Sequence, residues 1–119
     1  MATALVTGAT AGIGNAYAQL LAKEGFDLIL VARNLPRLKK VAAQLSKEYG
    51  VKATCLKADL SESAQLLKVE KVLASTSRPV EVLINNAGFG IKESFTDSNI
   101  KAEQELLDVL VTAPMRLSH

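Results

Sequence analysis

Residues 7–14 read TGATAGIG, and this octet constrains the fold more than any other stretch of the chain. It follows TALVT (residues 3–7), a short apolar run with β-branched members, and it opens an apolar-periodic stretch from about Gly12 to Lys23. A strand, a glycine turn and a helix in that order begin a βα unit. One glycine lets the backbone leave the strand sharply, another lets a pyrophosphate approach the main chain, and a third lets the helix pack close. Phosphates would then sit on free helix N–H groups, so Gly8, Gly12 and Gly14 read as a phosphate cradle. The spacing is G-x-x-x-G-x-G, and Asn15 stands where a nucleotide-triphosphate loop needs its Lys or hydroxyl pair, so a Walker A reading fails.

The same alternation continues downstream. Phe26–Val31 (FDLILV) is a continuous apolar run after Gly25, and residues Leu35–Tyr49 open with Pro36 and repeat apolar residues at Leu38, Val41, Ala42 and Leu45. Val51–Leu56 reads as a third strand, Ser61 as the N-cap of a helix through Leu73, and Val80–Ile84 as a fourth strand after Pro79. A last helix is expected from near Thr96 or Asp97. The order βαβαβαβα, with strands apolar on both faces, predicts a three-layer, doubly wound α/β fold with a parallel sheet and right-handed crossovers.

The second strand indicates which dinucleotide such a cradle would take. An NAD site of this kind places a carboxylate about 20 positions after the glycines to accept from the ribose hydroxyls. Here FDLILVARN offers Ala32 and then Arg33, and Asp27 lies at the wrong end of the strand. A carboxylate would repel a 2′-phosphate, whereas a guanidinium pairs with it bidentately, so Ala32 and Arg33 argue for NADP.

Composition excludes other classes. The 119 residues, 49% apolar and 22% charged, suit one domain over 1–119. The net charge of +2 is spread along the chain with no block of five like charges, so no nucleic-acid surface is expected. With one cysteine, Cys55, and one histidine, neither an internal disulfide nor a zinc site is expected, and Cys55 reads as a buried strand thiol. MATALVTG has no basic stretch ahead of its apolar residues, and no uncharged apolar window approaches about 18 residues. A cytoplasmic location without membrane or metal follows as the expectation.

Four motifs together carry a resemblance. TGATAGIG after the first strand, VARN after the second, Ala58-Asp59-Leu60 after the third and NNAG (Asn85–Gly88) after the fourth resemble the short-chain dehydrogenase/reductase family, nearest its hydroxysteroid and ketoacyl reductase branch. The resemblance spans essentially the whole chain. It implies that Gly8, Thr10 and Ile13 lie along the cofactor phosphates, and that Arg33 holds the adenosine 2′-phosphate. It implies further that Asp59 and Leu60 contact the adenine, and that Asn86, Ala87 and Gly88 line the wall beside the nicotinamide-side ribose. The strand order it implies is 3-2-1-4, with further strands beyond the fourth in the family.

The chain also departs from that family. Its reductases use a Tyr acid in a Tyr-x-x-x-Lys pair, a Ser and an Asn, whereas Tyr17 and Tyr49 here are followed four positions later by Leu21 and Ala53. A phenol needs a neighbouring cation to act as an acid near pH 7, so no catalytic residue is assigned. Leu110 stands at the Asn position, where it is expected to pack and not to support the main-chain irregularity found there in the family. Pro114 removes the helical donor to the Leu110 carbonyl, which predicts a local kink. The resemblance thus implies an incomplete, NADP-binding oxidoreductase-family chain, without its catalytic Ser, Tyr and Lys. An open edge at residues 80–84 and an apolar last helix would favour a homo-oligomer. The alternative is a non-catalytic dimerisation or interaction module with a vestigial nucleotide site. A methyltransferase with a related glycine turn leaves VARN and NNAG without a role.

Overall fold

The computed structural model describes residues 2–89 and 91–119. Four parallel strands, β1 (Thr3–Thr7), β2 (Asp27–Ala32), β3 (Ala53–Lys57) and β4 (Val82–Ile84), form one sheet in the order β3-β2-β1-β4. The helices are α1 (Gly12–Lys23), α2 (Leu35–Tyr49), α3 (Ser63–Ala74), α4 (Ile100–Leu107) and α5 (Ala113–Ser118), with a π-helical turn over Asp108–Thr112 joining the last two. The expected doubly wound arrangement is therefore present.

Strand periodicity divides the core. Ala4, Val6, Leu28 and Leu30 pack against Ala18 and Ala22 of α1 and Leu38, Ala42 and Leu45 of α2. Leu5 and Val31, one residue out of phase, pack with Leu66 and Val69 of α3 and Ala113 and Leu117 of α5. Side chains that alternate along a strand supply both faces, so a parallel sheet covered by helices requires the unbroken apolar runs seen in β1 and β2.

Local signals set the ends of α2. Asn34 accepts from the Arg37 N–H at 3.1 Å, Pro36 occupies the first turn, and Gly50 closes the helix at φ 70°. Two helix starts differ from expectation. Ser61 is not an N-cap: its hydroxyl donates to Asp59 Oδ1 at 2.7 Å, and α3 begins two residues later behind Glu62. Thr96 and Asp97 lie in a turn held by the Ser94 hydroxyl on Asp97 Oδ2 at 2.8 Å, so α4 starts at Ile100. Asn99 caps it by accepting from the Lys101 N–H at 2.7 Å.

The irregular segment before α5 corrects the reading of Leu110. Ala113 N–H bonds to the carbonyl of Asp108, five residues back, so the helix widens by one residue ahead of Pro114, which has no N–H to give. The irregularity exists with a leucine at its centre, because a proline suffices to break the four-residue ladder. Cys55 is half-buried on the sheet-edge strand β3 and not fully enclosed.

Candidate functional site

All four strands end at one cleft. Its volume is about 710 Å³, and Gly8, Thr10, Arg33, Asp59, Leu60, Asn86, Ala87 and Gly88 line it together with residues such as Arg37, Lys57, Phe89 and Glu105. In a parallel sheet the carboxyl ends of the strands share one edge, so loops distant in sequence converge there. Gly12 and Gly14 of the glycine turn do not line the cleft, and neither does Ile13. It stands in the first turn of α1 with 68% of its surface exposed.

The glycine turn is fixed by what touches it. Gly8 has φ 66°, and a Cβ there would lie 2.9 Å from the Ala87 Cα, so both conformation and space demand glycine. A Cβ on Gly14 would collide with the Gly8 carbonyl and the Asn86 side-chain amide, which lets the start of α1 lie directly on the turn. Ala11 provides no side-chain cap, and the first turn of α1 contains no acidic residue. The leading N–H groups of α1 thus keep their positive partial charge for an outside anion.

Thr7 joins the two halves of the cleft. Its buried hydroxyl oxygen accepts from the Asn86 and Ala87 N–H groups, each at 3.0 Å, and its own proton is directed at the Ile84 carbonyl at 3.4 Å. Asn86 Nδ2 in turn donates to the Gly8 carbonyl at 3.2 Å. The first glycine turn and the NNAG turn are therefore one hydrogen-bonded unit, held across β1 and β4.

The opposite end is pinned through Asp59. Its N–H donates to Gln65 Oε1 at 2.7 Å, and its Oδ1 accepts from the Ser61 N–H at 3.0 Å as well as from the Ser61 hydroxyl. Leu60, the next residue, is buried. Arg33, by contrast, is exposed just after β2 and lines the cleft. Neither Tyr17 nor Tyr49 lines the cleft. Desolvation, and then the Glu48 carboxylate, raise the Tyr49 phenol above its ordinary value, which is opposite to what a general acid near neutrality requires.

The short chain dehydrogenase family model matches residues 2–119. The chain belongs to the short-chain dehydrogenase family. Among curated relatives, it is 34% identical over 119 residues to a very-long-chain 3-oxoacyl-CoA reductase of Candida albicans, covering 97% of this chain and 34% of that protein. Among solved structures, a short-chain dehydrogenase from Sphingobium yanoikuyae in complex with NADPH superposes with a TM-score of 0.94 at 41% identity, over 99% of this chain and 46% of that one. L-sorbose reductase from Gluconobacter frateurii, complexed with NADPH and L-sorbose, gives 0.89 at 32% identity, over 98% of this chain and 44% of that one. This short-chain dehydrogenase sequence therefore spans about a third of the curated relative's length and less than half of either solved chain.

Several cleft residues escaped the sequence reading. Arg37 carried a usable signal: a cation in the first turn of a helix opposes the macrodipole, and α2 has no acid there to offset it. Lys57 carried none, since a lysine ending a strand is ordinary until the neighbouring strand is known. Phe89 and Glu105 reach the cleft from the loop after NNAG and from α4, and only the tertiary arrangement brings them in.

Proposed function

We propose that this chain holds the dinucleotide of an NADP-dependent oxidoreductase. The observation that carries the reading is the end of β2: Ala32 and then Arg33 line the cleft where an NAD site would present a carboxylate. The residues fit the ligand. Uncapped N–H groups at α1 suit a pyrophosphate, Arg33 suits a 2′-phosphate, and the floor at Asp59 and Leu60 suits an adenine. Asn86, Ala87 and Gly88 line the cleft and would form the wall for the nicotinamide-side ribose, and Thr10, also on the cleft, would lie along the phosphates. Ile13, exposed in the first turn of α1, would cover the pyrophosphate from outside.

A bound nicotinamide dinucleotide supplies or accepts a hydride. The chain's own part is to bind and orient it: Thr7 fixes the NNAG wall against the glycine turn, and Gly8 lets that wall approach. Relatives named for 3-oxoacyl-CoA and sorbose reduction, together with the NADPH complexes, support a reductase acting on a carbonyl for the whole protein. With no tyrosine on the cleft and Leu110 at the Asn position, residues 1–119 are expected to bind without turning over. We also propose self-association through the β4 edge or the apolar face beyond Leu107, in a cytoplasmic protein; light scattering of a stable monomer at micromolar concentration would exclude the association, and recovery of the chain in a membrane fraction would exclude the location.

Fluorescence titration with NADPH and NADH tests the binding reading. NADPH should bind more tightly, and Arg33→Ala should remove most of that preference, about tenfold or about 1.4 kcal/mol for one charge-assisted pair. Equal affinity for the two nucleotides in the unchanged protein would overturn the reading.

A further inference from the structure

Three cations line the cleft where β2, α2 and β3 border it, and the site requires only one of them for the reading above. Arg33 follows β2, Arg37 lies in the first turn of α2, and Lys57 ends β3. The fold brings them together: Lys57 pairs in register with Ala32, the neighbour of Arg33, while the Asn34 cap holds the Arg37 N–H at the same turn. All three are exposed, and among the described residues the one ion pair joins Arg116 to Glu70 elsewhere.

Folding offers no reason for this concentration. Arg37 works against the positive end of α2, and like charges sharing a concave rim repel one another. The nearest acid in sequence, Asp59, has its Oδ1 engaged by the Ser61 N–H and hydroxyl, and the other acid lining the cleft, Glu105, is carried by α4. An anion bearing about two negative charges, as a phosphate monoester does near pH 7, would relieve the repulsion. A pyrophosphate has a separate place at the glycine turn and α1.

We propose that Lys57 and Arg37 are specificity-determining residues for a ribose 2′-phosphate, acting with Arg33 so that two strands and a helix each supply one cation. This rests on the NADP reading. It goes beyond it in assigning discrimination to a residue of β3, a strand that the Arg33 argument does not involve.

The test is titration of the 119-residue chain and its Lys57→Gln and Arg37→Gln variants with NADPH, NADH, 2′,5′-ADP and 5′-AMP. Each variant should weaken NADPH and 2′,5′-ADP about three- to fivefold while leaving NADH and 5′-AMP unchanged, and Lys57→Arg should retain binding. Arg37→Gln should also melt no lower than the unchanged protein, because it removes a cation from a helix N-terminus, a result that a structural role would not give. If the unchanged protein prefers NADPH but either variant keeps its NADPH affinity, that residue is removed from the site and the NADP reading survives. Equal losses for the phosphorylated and unphosphorylated nucleotides would overturn the assignment as a general scaffold effect. Absence of any NADPH preference in the unchanged protein would overturn both.

Discussion

Thr7 is the residue on which the cleft's geometry turns. Two main-chain N–H groups of the NNAG turn end on its single oxygen, and it is 1% exposed, so water cannot replace it. Thr7→Val keeps the shape and leaves both donors unpaired, which should cost about 2–3 kcal/mol in urea denaturation, while Thr7→Ser should recover most of it. A loss within experimental error for Thr7→Val would show that the turn finds other partners. Nothing in TALVT distinguishes this threonine from Thr3. Its role depends on residues 79 and 80 positions further along the chain. Arg33 is the opposite case, because its meaning follows from its place after a strand and from the absence of an acid there.

At the scale of elements, legibility followed the strength of local signals. Asn34, Pro36 and Gly50 bound α2 so firmly that its limits coincide with the sequence reading, and Asn34→Ala should cost about 1 kcal/mol by thermal or chemical denaturation. A cost below a few tenths would mean that Pro36 alone sets the start. The beginning of α4 was not legible in the same way. Thr96, Asp97 and Asn99 are all competent caps, and the turn that consumes Asp97 depends on Ser94. Strand ends also moved for a non-local reason: β4 shortens to Val82–Ile84 because its ladder is limited to Ala4–Val6 of β1. Pro114 announced a break in the last helix but not its form, a π-helical turn in which Val109 and Ala113 are buried.

For the whole molecule, the helical segment from the end of α4 onward presents an apolar surface. Leu107, Leu110, Val111 and Met115 are each roughly half exposed or more, at 55%, 47%, 58% and 62%, and β4 lies at an edge of the sheet. Surfaces of this kind are favourable to cover. The proposed association should therefore appear as a concentration-dependent mass in light scattering, and Val111→Lys with Met115→Lys should shift it toward monomer without lowering NADPH affinity. Unchanged mass in that double variant would move the interface to the β4 edge.

The alternation of strands and helices, the parallel sheet and the place of the glycine turn are legible in the residues alone. Each of these follows from apolar period, caps and the backbone freedom of glycine, which are properties of neighbouring residues. Only the assembled fold shows that Thr7 holds the NNAG turn, that Ile13 stands outside the cleft while Glu105 lines it, and that Lys57 pairs with Ala32, the neighbour of Arg33. The physical reason is that strand register and crossover place residues side by side across distances that no local period encodes.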